Sequence, residues 1–311
     1  MAIALKPPVR LDRTLFKARS GESALVIAYA LALYLLPLGL FVFLAGDGSA
    51  VRMLVCSPLL VVAGYGLFLQ AILGHEGFHF NLSRNALRSC HLGVLVSSSL
   101  PGFCVTGYFV DHWQHHRYSN SDQDPDYRLF SRYRTLVSRI TLSRLVATLR
   151  YLVATTKLAF GPSITPSPLP MQACDVRHLA RCNLMCQLGW LGVYGLAAIR
   201  FDGLLIGMAV ALSVAFLVSA MNAYQEHAFS PGHDAPPARS RTSRLSTWLH
   251  AGSNYHLEHH LYPSIPCWRL PRVHRQLLEQ GWYEDKRHLL EPGFLGAFRY
   301  ASGRHPYSAR H

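Results

Sequence analysis

The sequence predicts an all-α integral membrane protein, four transmembrane helices joined to a cytoplasmic helical cap. Half of its 311 residues are hydrophobic and only 15% are charged, against about a quarter charged in an ordinary soluble chain. Its longest apolar runs come as two pairs, each pair joined by a very short link. Its basic residues are unevenly placed, abundant outside those pairs and sparse in the links.

The first pair comprises residues 24–45 and 53–74, linked by 46–52, and the second 184–199 and 204–224, linked by Arg200, Phe201, Asp202 and Gly203. About 20 apolar residues in a helix cross a hydrocarbon core of roughly 30 Å, so each pair reads as a membrane hairpin. Lys6, Arg10, Arg13, Lys17 and Arg19 precede the first run, whereas each link carries a single arginine, Arg52 or Arg200. Positive charge marks the cytoplasmic side, which places both termini and the central segment there. The chain then forms a single unit over 1–311, with its cap at 75–180 and 225–311.

Between the hairpins, residues 92–110 are also apolar. A span at that point would put the histidines before and after it on opposite faces, so the stretch is expected to be interfacial or re-entrant. Residues 140–160 interleave Arg144, Arg150 and Lys157 with leucines, the pattern of an amphipathic helix lying on the surface. Residues 231–244 read as a polar loop. The N-terminus shows no cleavable signal, because its first apolar run is too long for a signal core.

The seven cysteines, at 56, 90, 104, 174, 182, 186 and 267, contain no Cys-x-x-Cys pair and are odd in number. They imply no disulfide framework and suit a reducing compartment. The net charge of +13 comes without any zinc-finger, basic-helix or RNA-binding signature, so no nucleic-acid partner is expected.

The chemistry lies in the histidines. His75 and His79 follow the second run; His112, His115 and His116 follow the central apolar stretch; His227 follows the fourth run; His256, His259 and His260 come about 30 residues later. Positions i, i+3 and i+4 share one face of a helix, so each cluster can aim its imidazoles at one point. Neutral imidazole suits iron, zinc and copper. Eight or nine such donors exceed what one tetrahedral ion uses, and two metals are the simplest count. The remaining histidines, at 91, 178, 233, 250, 274, 288, 305 and 311, read as surface or packing residues.

Two other metal patterns fit less well. His75-Glu76-x-x-His79 matches the metalloprotease pattern of two ligands flanking a glutamate base, but a membrane zinc protease would leave the later clusters without a purpose. The soluble di-iron bundles depend on bridging glutamates, where these clusters have histidine.

The order His-x-x-x-His, His-x-x-His-His, His-x-x-His-His resembles the membrane fatty acid desaturase and hydroxylase superfamily. The flanks agree: Asp122-Gln-Asp-Pro-Asp126 after the second box, Asn254-Tyr-His-Leu-Glu-His-His-Leu-Tyr-Pro263 at the third, and Ile265-Pro-Cys-Trp-Arg-Leu-Pro271 beyond it. The resemblance runs from about Leu54 to Leu278. It implies a di-iron centre in the cap, held by His75, His79, His112, His115, His116, His256, His259 and His260. His227 is the ninth ligand, because Asn222-Ala-Tyr-Gln-Glu-His227 resembles the extra histidine segment of desaturases and alkane monooxygenases. O2 is the implied co-substrate, and the favoured reaction is desaturation of a fatty acyl chain. Hydroxylation or ketolation of a lipid or carotenoid, and decarboxylation to a terminal alkene, are the alternatives. With no cytochrome b5 module after the third box, electrons are expected from a separate ferredoxin, rubredoxin or cytochrome b5-type donor. Asp111, Glu76, Asp122, Asp126, Glu226 and Glu258 are candidates to orient the ligand rings through their second nitrogens, and Asn254 to hold a water or cap a helix.

Overall fold

A computed structural model describes residues 9–16, 20–45, 49–162, 170–201, 203–227, 238–296 and 298–301. Helices α1 (Ser20–Ala45) and α2 (Ala50–Phe78) pack as an antiparallel hairpin. After the cap segment, α8 (Ala173–Arg200) and α9 (Leu204–His227) supply two more helices long and apolar enough to cross a membrane. These four match the four apolar runs but overshoot them on the histidine side. Helix α2 continues to Phe78, so His75 rides in its last turn, and α9 continues to His227. Tyr34, Leu38 and Phe41 of α1 meet Leu60 and Leu67 of α2 and Met208 and Ala211 of α9 in one core. The outward faces stay apolar: Phe43 is 84% exposed and Ile199 87%. Water would penalise that surface and lipid would not.

The stretch 92–110 folds as two short helices instead of one span. Helix α3 (Ala86–Ser97) runs back along α2, a turn with Gly102 at φ +82° reverses the chain, and α4 (Val105–Tyr118) returns. Small residues permit the close approach: a methyl on Gly93 would lie 3.0 Å from Gly77 Cα. At the far end of α3, Ser99 Oγ donates to Gln70 Oε1 at 2.5 Å. From Gly77 back to Gln70, α2 descends about 10 Å at 1.5 Å per residue, so the hairpin is re-entrant relative to α2. Helix α8 closes over the turn, with Gln187 Nε2 donating to the Phe103 carbonyl at 3.0 Å and Asn183 Nδ2 to Ser98 Oγ at 3.1 Å.

Helices α5 (Pro125–Phe130) and α6 (Leu136–Ile140) lead into α7 (Leu142–Phe160). The last is amphipathic, as expected, but its exposed face is the apolar one: Leu145, Leu149, Val153 and Phe160 point outward. Its two arginines contact neighbouring cap residues, while Lys157 is exposed. Arg150 Nε reaches Asp111 Oδ2 at 2.7 Å, and the Arg144 guanidinium lies 5.6 Å from the Phe103 ring centre.

The remaining cap is compact. Strand β1 (Ser240–Arg241) precedes α10 (Arg244–Leu249), α11 (His256–Leu261) and α12 (Leu270–Glu279); β2 (Leu290–Glu291) pairs in parallel with β1 and α13 (Phe298–Ala301) follows. Leu257, Leu261, Ile265, Leu270 and Val273 form its core. The expected polar loop at 231–244 is corrected here. Residues 231–237 lie outside the described ones, but Ala238 to Arg241 are buried. Arg241 donates to Gln225 Oε1 at 2.7 Å and Asn222 Oδ1 at 2.5 Å. A buried guanidinium needs such partners, and these pin the strand to the end of α9.

Candidate metal centre

All nine predicted histidines converge, and they divide into two groups. His75, His79, His112, His116 and His259 form one; His115, His227, His256 and His260 form the other, and within each group one nitrogen per ring lies within 4.8 Å of all the rest. The expectation that each cluster aims at a single point holds for His75 and His79 and is corrected for the other two. At 100° per residue, positions i and i+4 lie about 40° apart around a helix, while i+3 and i+4 lie about 100° apart. Accordingly His112 and His116 go one way and His115 the other; His256 and His260 go one way and His259 the other. Helices α4 and α11 thus exchange donors, α2 completes the first group and α9 the second.

The facing atoms are Nε2. In the first group His112 Nε2 stands 2.9 Å from that of His75, 3.2 Å from His79 and 3.0 Å from His116, and His116 stands 3.1 Å from His259. In the second, His227 Nε2 is 3.1 Å from His115 and 2.8 Å from His256, with His260 3.2 Å from His256. Nitrogens bound at right angles and about 2.1 Å from one ion sit about 3.0 Å apart; tetrahedral ligands would sit about 3.4 Å apart. The observed spacings match the right-angled case, and the five donors of the first group exceed a tetrahedral set.

Second nitrogens fix the tautomers. His75 Nδ1–H donates to Glu76 Oε1 at 3.2 Å and His115 Nδ1–H to Asp124 Oδ2 at 2.9 Å. His112 Nδ1 lies 2.8 Å from the Tyr108 hydroxyl, and His260 Nδ1 3.2 Å from Ser119 Oγ. His256 Nδ1 faces Glu226 Oε2 at 3.5 Å. A neutral ring that donates through Nδ1 has only a lone pair at Nε2, so His75 turns a lone pair toward the His112 ring. A cation between the rings would take up such lone pairs.

Burial, helped by the neighbouring imidazoles, holds His79, His112, His116, His256, His259 and His260 well below the ordinary histidine range. They are neutral and ready to ligate. His115 differs. Burial works against its charge, but Asp124 and Asp126 outweigh burial and carry it above that range. The same carboxylate makes the ring a more basic ligand once a cation is bound.

Of the six acids expected to orient ligands, Glu76 and Glu226 do so, and Asp126 stands 4.0 Å from His115. Asp111 is taken by Arg150. Glu258 is fully buried, accepting from Ser240 Oγ, His274 Nδ1 and Tyr283 OH, and so anchors α11 rather than a ligand ring. Asp122 has its backbone carbonyl on Arg128. The residues that sequence reasoning missed are Asp124, Tyr108 and Ser119. Asn254 Nδ2 donates to the Arg241 carbonyl at 2.5 Å and holds β1 against α11. Glu76 also accepts from Asn81 Nδ2 and the Cys267 amide, both at 2.9 Å, so it is not free to serve as a protease base.

A cavity of about 110 Å³ opens against both groups. His75, His112 and His259 of the first and His115, His227 and His256 of the second stand in its wall, opposite Phe68, Ile72, Phe103 and Leu270.

A family model described as fatty acid desaturase matches residues 50–290, a range that holds all nine histidines. A beta-carotene ketolase of Paracoccus sp. strain N81106 is 27% identical over 240 residues, covering 69% of this chain and 79% of that protein. Another beta-carotene ketolase, from Paracoccus sp. strain PC1, is 25% identical over 233 residues, covering 71% of this chain and 78% of its own length.

Proposed function

The chain belongs to the fatty acid desaturase family, and on that footing we propose that it is a di-iron membrane oxidase converting a ring methylene of a carotenoid to a ketone. The observation that carries the reading is the cavity wall, to which each histidine group contributes three rings. Two metal positions facing one small apolar space suit attack on an unactivated C–H bond. The likeness to beta-carotene ketolases over more than two thirds of the chain supports the ketone over a new double bond.

The first group would hold one iron and the second the other, with His75, His79, His112, His115, His116, His227, His256, His259 and His260 as ligands. When bound, the pair would supply reductive activation of O2, in which one oxygen atom enters the substrate and the other leaves as water with two electrons from the donor and two protons. Two such turnovers at one methylene, followed by loss of water, leave a ketone. Phe68, Ile72, Phe103 and Leu270 exclude water and hold the apolar end of the substrate against the rings. Glu76, Asp124 and Tyr108 keep the imidazoles oriented.

Residues 1–311 act as one unit, with the site and both termini cytoplasmic. The exposed Arg117, Arg128, Arg132 and Arg134 near the second box would steer an acidic ferredoxin, rubredoxin or cytochrome b5-type donor.

Expression in a bacterial host that makes beta-carotene tests this. The expected product, seen by liquid chromatography and mass spectrometry, has gained one oxygen and lost two hydrogens per ring. Unchanged carotenoid together with new acyl double bonds would replace ketolation with acyl desaturation. A product that stops at an alcohol, or a terminal alkene, would point to hydroxylation or decarboxylation.

A further inference from the structure

A third cluster of metal-binding side chains lies apart from the nine histidines. It joins His91 of α3 to His178 and Cys182 of α8, with one donor atom from each within 4.8 Å of the others. In the sequence both histidines read as surface or packing residues, because they lie 87 positions apart in the chain and outside any cluster. Folding α8 back across α3 brings them together, with ring centres 5.3 Å apart.

We propose that His91, His178 and Cys182 form a separate site for one zinc-type divalent cation that clamps α3 to α8. His178 and Cys182 are four residues apart and share a helix face. Cys182 Sγ lies 3.5 Å from His178 Nε2. A tetrahedral ion with nitrogen at about 2.0–2.1 Å and sulfur at about 2.3 Å would place those two atoms about 3.6 Å apart. His91 Nδ1–H donates to the Leu87 carbonyl at 2.8 Å, which leaves Nε2 with its lone pair free to ligate. His178 is exposed and His91 and Cys182 are partly so, so an ion can enter from solvent and the His178 ring can turn to meet it.

The donor set differs in kind from the main centre. A thiolate with two imidazoles favours zinc-type ions, whereas the nine-histidine centre has no sulfur. Binding replaces the Cys182 S–H bond with a metal–sulfur bond and releases one proton. Three protein ligands leave the fourth position to water, so the site is open and exchangeable. Its mechanical effect falls on the re-entrant turn. Next to Cys182 on α8, Asn183 bonds Ser98, and about one turn further Gln187 bonds the Phe103 carbonyl at the turn that launches α4. A bound ion would add a further tie to that latch.

The test is titration of the iron-loaded, full-length enzyme in detergent with Co²⁺. A thiolate-to-cobalt charge-transfer band with strong tetrahedral d–d absorption is expected, at one equivalent, bleached by Zn²⁺. All-imidazole ligation cannot produce the charge-transfer band, so any exchange at the iron centre is distinguished. Cys182→Ser should abolish the band, and His178→Gln should weaken Co²⁺ binding about tenfold or more. Iron content and oxidase activity should stay as in the parent in both variants, which shows that the fold is intact. Cys174→Ser and Cys186→Ser should keep the band. Its absence from the parent, or its survival in Cys182→Ser, would overturn the proposal.

Discussion

The 2.9 Å contact from His115 Nδ1 to Asp124 is built locally. Pro125 starts α5, Asp124 caps it by accepting the Asp126 amide through Oδ1, and Oδ2 is left for the ring and the Asn120 amide. Asparagine can still cap but brings no charge. Asp124→Asn should therefore keep the helix and weaken iron in the second group about 10–100-fold, read by competition with a chelator. His227→Ala goes further. It leaves that group three histidines while the first keeps five, so iron should fall from about two per chain to about one, with activity lost and membrane insertion kept. Two irons retained after His227→Ala would remove it from the site. Eight of the nine histidines were legible because their spacing is periodic, and His227 only through the resemblance of its segment. Asp124 was not: in Asp122-Gln-Asp-Pro-Asp126 three acids alternate, and only the capping geometry selects the middle one. The division into two groups escaped for a related reason, since spacing tells which residues share a helix but not which way a third ring turns.

Helices can cross closely only where side chains allow, and α4 depends on that at Gly107. Its amide donates to Thr155 Oγ1 of α7 at 2.9 Å, and a methyl on Gly107 would stand 2.1 Å from the Tyr151 carbonyl oxygen. Alanine in place of glycine inside a helix ordinarily stabilises by about 1 kcal/mol. Here the backbone of α7 must move, and overpacking costs about 1–3 kcal/mol, with the second histidine box displaced as well. Gly107→Ala should lower the melting temperature and the activity, while Gly189→Ala, which has nothing within 4 Å, should do neither. A Gly107→Ala enzyme as stable and active as the parent would mean that α4 and α7 separate without cost. At this scale the four long helices were legible from apolar length alone. The β1–β2 pair was not, because two-residue strands set by partners some 50 positions apart leave no local pattern.

Orientation belongs to the whole molecule. The ends of α2 and α9 that carry His75 and His227 meet at one centre, so the links at their other ends share the opposite side. Those links bring Arg52 and Arg200, one each, whereas the histidine side carries Arg10 and Arg13 before α1 and Arg117, Arg128, Arg132, Arg134 and Arg139 around the second box. Basic residues in short segments near the spans resist translocation, and the imbalance all runs one way. The re-entrant hairpin does not upset this count, because α3 and α4 enter and leave on the side of the histidines. The exposed leucines and Phe160 of α7 are on the same cap segment, and there they would rest in the lipid interface without crossing it. Reporters fused after Phe160 or at position 311 should therefore signal from the cytoplasm, and one inserted at position 48 from the outer side. An outward signal after Phe160 would mean that 92–110 crosses the membrane, and the two histidine boxes flanking it could then not share a centre.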